Sequence, residues 1–576
     1  MSIVIVKEKI QQLRTLLKKH NHLYYVLDRP EVTDFEYDVL MTELIDLENK
    51  YPEFNDPLSP TKRVGGGVLE KFNTVTHSSP MLSLDNTYSE IDLELFDKRV
   101  KKRLNQDQVD YSCELKYDGV AISLIYVNGL LEQAVTRGDG VSGDDVTENI
   151  KTIKSIPLQL FGDFPQSVEL RGEIFITKLD FDKINNDRLV KKSSLKKQYK
   201  FDLVNAVNEH DKSIVEKKYI ADINKLEPYS NPRNLASGTL KLLDSTKVAK
   251  RNLSCIVYSV HSTSLLFDTH MENLLASKKW GFTMSSQLRL ARNVTDIMDF
   301  INTCESKRDS LPFEIDGIVV KVNNCLQQEI LGHTSKSPRW AISYKFKANQ
   351  TVTILENVQF QVGRTGSVTP VACLKPVKLG GSLIKRASLH NEDFIKKLDL
   401  KIGDSVIIEK GGDVIPKIVS VIQEKRNLLC VDIFFSKECP ACFKMLYKPE
   451  SEVNYYCTNF NGCLPQKTGS LEHFISRDAL NIQTLGGKTI NLLFAEGVIR
   501  DVGSLYDLTM NDFIDLKGFG GDSKQKNKPD KKAKNIINSI NYSKSTSFDK
   551  VLYGLGIRHV GKTVAKKLVY HFKSMV

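Results

Sequence analysis

Charged residues alternate with apolar ones in the stretch "CELKYDGVAISLIY", which begins at Cys113. Glu114, Lys116 and Asp118 are spaced two residues apart, so in a β-strand their side chains would share one face. Such a row could be a plain surface ladder of ion pairs, or it could hold a lysine amine between two carboxylates inside a site. The sequence K-x-D-G alone does not decide between the two.

Four further stretches place charges on apolar strands or at their edges: "TRGDG" from Thr136, "LRGEIFI" from Leu170, "FEIDGIVVKVN" from Phe313 and "PRWAISYKFKA" from Pro338. Their charged residues of interest are Arg137, Glu173, Asp316, Lys321 and Lys345. Unpaired charges on half-buried strands are costly, so a converging set indicates a filled cleft. Several cations facing two or three carboxylates are what a nucleotide phosphate with bound Mg²⁺ or Mn²⁺ requires.

The elements that must position these residues belong to a multidomain α+β chain of 576 residues. Apolar residues at three- and four-residue spacing predict helices near the N-terminus, and short Val-, Ile- and Leu-rich runs then predict a mixed α/β domain. Strands split by glycine predict a small β-barrel, followed by a cysteine cluster and helical hairpins. We expect these domains at residues 1–71, 72–347, 348–435, 436–464 and 465–576.

Composition weakly favours a polyanionic partner. The net charge is +11, although a Lys-rich proteome would give the same balance. No apolar run approaches the ~20 residues that span a bilayer, and the N-terminal apolar run is too short for a signal peptide. We therefore expect a cytoplasmic protein with no membrane partner.

Four of the ten cysteines are clustered with the spacing C-x₂-C-x₁₄-C-x₅-C. Cys439, Cys442, Cys457 and Cys463 would supply four thiolates to one structural Zn²⁺. A closed shell of four sulfurs leaves no open position, so catalysis by this metal is not expected. The alternative is four unrelated thiols.

The stretch "GIRHVGKT", Gly556 to Thr563, matches the phosphate-loop pattern G-x-x-x-x-G-K-[ST]. A phosphate loop also needs a preceding strand and a surrounding α/β domain, whereas the flanking sequence here is helical in pattern. "LGGKTINLL" (Leu485 to Leu493) has the same shape, and "LKGFGG" (Leu516 to Gly521) looks like a damaged third copy. Repeated helical hairpins whose amides meet DNA phosphates fit better than an ATP site.

Aromatic and acidic residues are concentrated in the N-terminal stretch "LYYVLDRPEVTDFEYDVL", which carries Tyr24, Tyr25, Asp34, Tyr37 and Asp38. Aromatic faces can stack on a nicotinamide ring, and carboxylates can meet its positive charge and the ribose hydroxyls. A helical hairpin whose tyrosines pack in its own core is the alternative.

The charged motifs, in their order along the chain, resemble those of the nucleotidyltransferase superfamily of DNA ligases, RNA ligases and capping enzymes. The N-terminal tyrosine pattern and "PMLSLDN" (Pro80 to Asn86) are similar to those of NAD-dependent bacterial DNA ligases, and the resemblance continues to the end of the chain. It implies a helical NAD-binding module, an ATP-grasp-like α+β nucleotidyltransferase domain, an oligonucleotide-binding (OB) fold, a Cys₄ zinc finger and a helix–hairpin–helix domain. It also implies NAD⁺ rather than ATP as the adenylate donor.

The resemblance implies that Lys116 takes AMP as a phosphoramidate. Its amine must be neutral to react, and a lysine with an unperturbed pKa of ~10.4 is rarely neutral at pH 7. Asp118, Glu173 and Asp316 are implied to hold Mg²⁺ or to orient Lys116, and Tyr258 to stack on adenine. The residues implied around NAD⁺ are Tyr24, Tyr25, Asp34, Phe35, Glu36, Tyr37, Asp38, Ser83, Leu84, Glu114, Arg137, Glu173, Tyr258, Lys321 and Lys345.

For the partner, the resemblance implies nicked double-stranded DNA, sealed between a 5′-phosphate and a 3′-hydroxyl by a monomeric enzyme of replication and repair. The residues implied to contact DNA are Arg233, Lys241, Arg364 and Lys410. For any one of them, a solvated surface position is the alternative.

Three features depart from the family pattern. Lys241 stands where relatives have an arginine, which removes a bidentate phosphate contact. Residues 188–230 are Lys-rich and are interpreted as an inserted surface helix or loop, which could shift DNA contacts or recruit a partner. A fourth hairpin and the C-terminal BRCT domain of many relatives are missing before Val576, and we expect this loss to weaken encirclement of the duplex more than it weakens self-adenylation.

Two other functions stay open on the sequence. An ATP-dependent ligase or capping-type guanylyltransferase is opposed by the N-terminal tyrosine module and the cysteine cluster. A non-catalytic nick-binding scaffold would keep the zinc and hairpin regions, yet would tolerate the loss of Lys116.

Overall fold

The computed structural model describes residues 3–25, 31–54, 56, 59–63, 71–206, 208–262, 267–285, 287–334, 336–346, 349–380, 382–410, 416–450, 452–514, 516, 519 and 531–572. Within these ranges the description excludes the side chains at 21–25, 34, 35, 38, 62, 63, 349 and 410. The chain divides into two compact units, Met1–Lys347 and Ala348–Val576. In the part described, no helix combines the length and apolar character needed to cross a membrane.

The first unit is mixed α/β. Its described helices are α1 Ile3–Tyr25, α2 Asp34–Lys50, α3 Glu90–Leu104, α4 Thr147–Lys151, α5 Lys178–Asn205, α6 Glu209–Lys225, α7 Pro232–Leu240, α8 Ser245–Ala249, α9 His270–Lys279, α10 Val294–Lys307 and α11 Cys325–Leu331. Its described strands are β1 Thr74–Thr76, β2 Asp85–Thr87, β3 Tyr111–Tyr117, β4 Val120–Val127, β5 Leu130–Thr136, β6 Ser142–Asp144, β7 Ser167–Phe175, β8 Ser254–Ser262, β9 Leu288–Ala291, β10 Ile315–Val322 and β11 Ala341–Lys345.

The N-terminal helices α1 and α2 pack as a pair with their own apolar core. Val6, Ile10, Leu13 and Leu17 recur at three- and four-residue spacing on α1, and they bury one face against Leu44 of α2. The helices predicted for this region are therefore present.

Two sheets make up the body of the first unit. One has five strands in the order β2-β11-β10-β3-β9, and the other has four in the order β5-β4-β7-β8. The chain passes from β3 in the first sheet to β4 in the second through Asp118 and Gly119 alone. Each sheet packs its apolar face into a separate core, so the charged ends of β3 and its neighbours are held by rigid elements.

The Lys-rich stretch 188–230 is helical. It forms the distal part of α5 and all of α6, and α5 begins ten residues before the predicted insertion, at Lys178. Neither helix has a buried residue, and the Tyr199 and Tyr219 rings stack between them with centroids 4.0 Å apart. The expected surface insertion is therefore a hairpin of two helices.

The second unit combines a β-barrel with a helical region. Its described strands are β12 Asn349–Val362, β13 Ser367–Leu379, β14 Ser382–Ser388, β15 Lys401–Ile402, β16 Ser405–Lys410, β17 Lys417–Val421, β18 Val431–Asp432, β19 Leu446–Tyr447 and β20 Tyr455–Cys457. Its described helices are α12 Glu392–Lys397, α13 Leu464–Ile475, α14 Gly487–Ala495, α15 Lys531–Ser543, α16 Phe548–Gly554 and α17 Lys562–Phe572.

Five strands of the second unit close into a barrel. The order is β12-β16-β17-β14-β13, and β12 pairs with β13 to complete the ring. Along β13, Val368, Ala372 and Leu374 are buried while their neighbours are partly exposed, which is the alternation of a barrel wall. The predicted small barrel is confirmed.

The stretch "GIRHVGKT" lies in a helical hairpin. It joins α16 to α17, and in the described residues from 458 to 572 there are helices and turns but no strand. Lys562, the lysine of the G-K-T triplet, has its Nζ 2.8 Å from Asp478 Oδ1. Because no strand of the described region precedes the loop, the hairpin interpretation holds. The damaged third copy falls largely outside the described residues.

Candidate functional site

The alternating charges lie on β3, an inner strand of the five-stranded sheet, between β10 and β9. The apolar residues of β3 pack into the core below it. Glu114 and Lys116 point to the opposite face, and Asp118 follows directly after the strand. The shared face expected from the sequence is therefore present, and we call the residues gathered there the charged cleft: Glu114, Lys116, Asp118, Glu173, Asp316, Lys321 and Lys345.

Two glycines allow the neighbouring strands to approach these charges. A Cβ on Gly119 would lie 2.2 Å from the carbonyl oxygen of Ile174 on β7 and 2.9 Å from Glu173 Cγ. A Cβ on Gly317 would lie 2.0 Å from the Tyr344 carbonyl oxygen on β11. The glycine after each of the two aspartates is thus required by close backbone contact, which brings Glu173 and the strand of Lys345 beside Lys116.

Lys116 is held against Asp316. Its Nζ lies 2.9 Å from both carboxylate oxygens of Asp316, and Lys345 Nζ lies 3.8 Å from Asp316 Oδ2. The side chain of Lys116 is about one quarter exposed, at 23%. A partly exposed amine on a rigid strand, with a carboxylate on one side and the cleft on the other, is accessible to a phosphate that enters the cleft.

Asp118 pairs with Arg233, whose Nη1 lies 2.9 Å from Asp118 Oδ1. Burial raises the pKa of Glu173 to about 7; Lys116 and Arg233 oppose the rise, while Asp118 and Asp316 add to it. Three carboxylates, Asp118, Glu173 and Asp316, therefore converge near Lys116 and Arg233. Such a site favours a bound cation.

Glu114 belongs to a buried charge cluster deeper in the cleft. Its carboxylate lies 2.9 Å from Lys321 Nζ and accepts a hydrogen bond of 2.8 Å from His270 Nε2. Burial alone would raise the pKa of Glu114, but Lys321 and His270 outweigh it and hold the value at about 2. Lys321 also donates to the Tyr258 carbonyl oxygen at 2.6 Å. Glu114 and Lys321 are thus a structural pair that fixes the floor of the cleft.

The Tyr258 ring lies above this cluster, with Lys321 Nζ 5.5 Å from its centroid. Arg137, which follows β5, donates to Ser83 Oγ at 2.7 Å and to the Met81 carbonyl oxygen at 3.3 Å. Leu84 lies next to Ser83 and is half-buried. The structure therefore joins "TRGDG" to "PMLSLDN", as one site would need.

The sequence analysis did not identify two residues that support the site, His270 and Arg171. His270 begins α9 and lies 156 positions from Glu114, its hydrogen-bond partner. Arg171 is buried on β7, where it donates to the carbonyl oxygens of Ser79 and Pro80 at 2.7 and 3.1 Å and so fixes the segment before Ser83. Arg171 lies two residues before Glu173 on β7, so strand periodicity places both side chains on the same face and could have identified Arg171. Nothing in the sequence near His270 gives a comparable signal.

The N-terminal candidates divide into two groups. Glu36 Oε2 accepts hydrogen bonds from the backbone and hydroxyl of Thr33 and so caps α2, and Tyr37 packs beside the α1–α2 core. The side chains of the remaining N-terminal candidates lie outside the described residues: Tyr24, Tyr25, Asp34, Phe35 and Asp38.

The basic residues expected at DNA have varied surroundings. Arg233 lies beside the charged cleft, where it pairs with Asp118. Lys241 Nζ lies 2.9 Å from Asp144 Oδ2, and its side chain is 44% exposed. Arg364 is exposed and donates to the Gly556 carbonyl oxygen at 3.3 Å, in the hairpin "GIRHVGKT". The side chain of Lys410 is outside the described residues.

The four clustered cysteines converge in space. Their sulfurs all lie within 4.8 Å of one another, with 3.9 Å between Cys439 and Cys463 and 3.5 Å between Cys442 and Cys457. A tetrahedral zinc site with Zn–S bonds of ~2.3 Å has sulfur–sulfur edges of ~3.8 Å. The donor set and its spacing therefore fit a tetrahedral metal, and four unrelated thiols would not meet in this way.

Family models match four parts of the chain. The model described as "NAD-dependent DNA ligase adenylation domain" matches residues 69–218 and 207–349, and "NAD-dependent DNA ligase OB-fold domain" matches 352–428. "DNA ligase-like, N-terminal NAD+-binding domain" matches 5–65, and "Helix-hairpin-helix motif" matches 550–576.

Curated relatives are similar over almost the whole chain. A DNA ligase of Phocaeicola vulgatus is 48% identical over 569 residues, and one of Christiangramia forsetii is 46% identical over 570. A DNA ligase of Flavobacterium psychrophilum is 45% identical over 570 residues. Each alignment covers 99% of this chain and 79% of the relative.

The chain belongs to the NAD-dependent DNA ligases. It is therefore an enzyme that uses NAD⁺ to join DNA, and the adenylation-domain match contains the whole charged cleft. The N-terminal NAD⁺-binding match decides against the ATP-dependent ligase and the capping enzyme. The full-length similarity to ligases decides against a non-catalytic scaffold.

Proposed function

We propose that Lys116 is the residue of this ligase that carries AMP, and that sealing proceeds in three steps. The neutral Lys116 amine attacks the α-phosphorus of NAD⁺, so a P–N bond forms, the P–O bond to nicotinamide mononucleotide breaks and the amine gives up a proton. The 5′-phosphate at a nick in duplex DNA then takes the AMP. The 3′-hydroxyl finally attacks that phosphate and displaces AMP.

The position of Lys116 carries this proposal. Lys116 lies at the junction of the two sheets and is the most exposed of the cleft lysines, at 23% against 14% for Lys345 and 6% for Lys321. Rigid strands on both sides fix the amine, which lowers the entropic cost of in-line attack.

Asp118, Glu173 and Asp316 are the residues we propose to hold Mg²⁺ or Mn²⁺ in the cleft. Carboxylate oxygens are the ligands these ions prefer, and three carboxylates converge beside Lys116. When bound, the ion would neutralise charge on the α-phosphate. Lys345 and Arg137 would add further positive charge around the same phosphate.

The described contacts support the adenosine half of the proposed NAD⁺ site. Tyr258 offers its ring to adenine, and Glu114 with Lys321 supports the floor beneath it. Ser83 and Leu84 would meet the adenosine, where Arg137 already holds Ser83. We assign the nicotinamide mononucleotide half to the α1–α2 module through Tyr24, Tyr25, Asp34, Phe35, Glu36, Tyr37 and Asp38. Glu36 would then contact nicotinamide mononucleotide while its side chain also caps α2.

For the rest of the chain, we infer a monomeric cytoplasmic enzyme acting on nicked duplexes. Arg233, Lys241, Arg364 and Lys410 would contact the DNA backbone, with one structural Zn²⁺ at the four cysteines. The proposed domains are residues 1–71, 72–347, 348–435, 436–464 and 465–576.

Labelling with NAD⁺ that carries ³²P in its adenylate phosphate tests the central assignment. In the absence of DNA, the protein should retain about one AMP per chain after denaturation, on the peptide that contains Lys116, and labelled ATP should give none. Lys116→Ala should abolish both the label and nick sealing.

Lys101→Ala provides the matched control, because Lys101 pairs with Asp97 on the surface of α3, away from the charged cleft. That variant should label normally. Sealing of a nick by Lys116→Ala with NAD⁺ as the donor would contradict the proposal.

A further inference from the structure

The helical hairpin α5–α6 interrupts the family pattern. The adenylation-domain model matches in two segments that overlap at residues 207–218, around the start of α6. The hairpin leaves the domain directly after β7, the strand of Glu173, and returns to α7, the helix of Arg233. We call residues 191–225 the lysine arm.

The base of the arm is fixed to the adenylation domain. The Asn185 side chain exchanges two hydrogen bonds with the Tyr229 backbone, at 2.8 and 3.1 Å, and the Arg188 guanidinium lies 4.3 Å from the Tyr229 ring centroid. Lys192 pairs with Glu227 at 2.5 Å just above this point. The contacts of Asn185 and Arg188 with Tyr229 therefore set the orientation of the arm, without the Lys192 pair.

The lysines of the arm fall into two classes. Lys192, Lys212 and Lys225 each pair with a carboxylate. Six others are exposed and have no ion-pair partner among the described residues of the chain: Lys191, Lys196, Lys197, Lys200, Lys217 and Lys218.

Three of the unpaired lysines form one patch. Lys196, Lys197 and Lys200 are related by one, three and four positions, so they share the side of α5 that faces away from α6. Leu195 and Tyr199, which are half-buried, take the side toward α6. The arm thus presents a compact cationic patch to its surroundings.

The exposed apolar residues of α5 do not form a docking stripe. Leu189 and Val190 near the base are 49% and 66% exposed, and Phe201 and Val204 near the tip are 66% and 84% exposed. Eleven positions, or about 16 Å along the helix, separate Val190 from Phe201. The lysine patch lies between them. A protein-binding helix would gather such residues on one continuous face, whereas clustered unpaired lysines suit a dense line of phosphates.

We propose that the lysine arm contacts backbone phosphates of the DNA duplex away from the break, independently of sequence. The inference rests on DNA being the substrate of this family member. The arm would add affinity through counterion release. It would take no part in the transfer of AMP.

The proposal can be tested in the full-length protein by measuring its binding to a nicked duplex in EDTA over a series of KCl concentrations. The 3′ end at the nick carries a dideoxynucleotide, so that the nick cannot be sealed. Lys196→Gln/Lys197→Gln/Lys200→Gln should reduce the slope of log K against log[KCl] by about 2.7, since each lost phosphate contact contributes roughly 0.9. The reduction should be equal on an unbroken duplex. Adenylation of Lys116 should be unchanged, which also shows that the variant is folded.

Lys192→Gln/Lys212→Gln/Lys225→Gln is the matched control, because it removes the same charge from the same arm at paired positions. Its slope should stay within about 1 of the wild type. A shortened arm, with residues 194–223 replaced by a Gly-Ser turn above the Asn185–Tyr229 contact, should lose at least as much slope as the first triple variant.

An unchanged slope in the first triple variant and in the shortened arm would overturn the proposal and would favour a protein partner instead. Equal losses in both triple variants would overturn it as well, since net charge rather than contact would then be responsible. Failure of Lys116 labelling would count against the proposed catalytic site and not against the arm.

Discussion

At the residue scale, Glu173 makes the stability of the empty cleft depend on pH. Burial raises the pKa of Glu173 to about 7 from 4.5. The folded state therefore binds the proton of Glu173 more tightly than the unfolded state does. The resulting contribution to the free energy of unfolding is complete below pH 4.5 and is lost as the pH rises through 7. Glu173→Gln is neutral at every pH, so it should raise the melting temperature by about 3 °C above pH 7 and progressively less toward pH 5.

Thermal unfolding without nucleotide or divalent ions, in buffers from pH 5 to 8.5, measures this difference. Under the proposed mechanism the same variant should seal nicks slowly, because a metal ligand is lost. A melting-temperature gain that stays constant over the pH range would show that Glu173 is not the titrating group.

His270 is a second residue with a defined contribution. It is buried, and its Nε2 donates to the Glu114 carboxylate at 2.8 Å. His270→Ala leaves that oxygen without one partner, so the free energy of unfolding should fall by about 1–3 kcal/mol in urea titrations. The free energy of unfolding should fall less in His270→Gln, because the glutamine amide can also donate a hydrogen bond to Glu114. The exposed His210 on α6 supplies the control, and His210→Ala should have little effect; equal losses at the two positions would contradict this account.

The sequence predicted the charged residues of the cleft better than their partners. Glu114, Lys116 and Asp118 lie on one face because strand periodicity is local. The sequence predicted that cations and carboxylates face one another but not which ones pair, and the structure pairs Glu114 with Lys321 and Asp118 with Arg233. These partners are more than 100 positions apart in the chain, and local pattern carries no information about such pairings. His270 was missed for the same reason, because it lies 156 positions from Glu114.

At the element scale, the cysteine cluster should behave as one unit. Because each thiolate supplies one of four bonds, Cys457→Ser should reduce bound zinc from about one per chain to near zero, as measured by atomic emission on the purified protein. The region around the four cysteines should then become protease-sensitive and DNA binding should weaken. As a control, the Cys430→Ser protein should keep about one bound zinc per chain, because Cys430 lies outside the cluster.

Self-adenylation separates this effect from general misfolding. Lys116 lies in the other compact unit, so labelling with NAD⁺ should persist in Cys457→Ser. Loss of labelling together with zinc would show that the metal supports more than the second unit.

Elements were predictable where their own residues determine them. The apolar spacing of α1 and the glycine-split strands of the barrel are local signals, and both gave the observed elements. Closure of the barrel depends on the pairing of β12 with β13 and β16, which no single strand encodes. The start of α5 at Lys178 was missed because helix propensity continues smoothly from the domain into the lysine arm.

At the scale of the whole molecule, the use of NAD⁺ should be separable from the joining of DNA. The α1–α2 pair has its own core and matches an NAD⁺-binding model over residues 5–65. In the proposed mechanism, NAD⁺ takes part only in the first step, whereas the last step needs only a duplex that already carries AMP on its 5′-phosphate. Removal of residues 1–71 should therefore abolish labelling of Lys116 by NAD⁺, with at least a 1,000-fold loss equivalent to about 4 kcal/mol of transition-state stabilisation.

The same truncated protein should still seal a nick whose 5′-phosphate is adenylated beforehand, at a rate within about tenfold of the full chain. Within the full-length protein, Lys116→Ala offers a parallel test, because it should also lose labelling and keep some sealing of the adenylated nick. Gel electrophoresis of a labelled strand measures both reactions. If the truncated protein fails to seal the adenylated nick while remaining folded by circular dichroism, then α1 and α2 act beyond the first step, and the assignment of the module to nicotinamide mononucleotide alone is wrong.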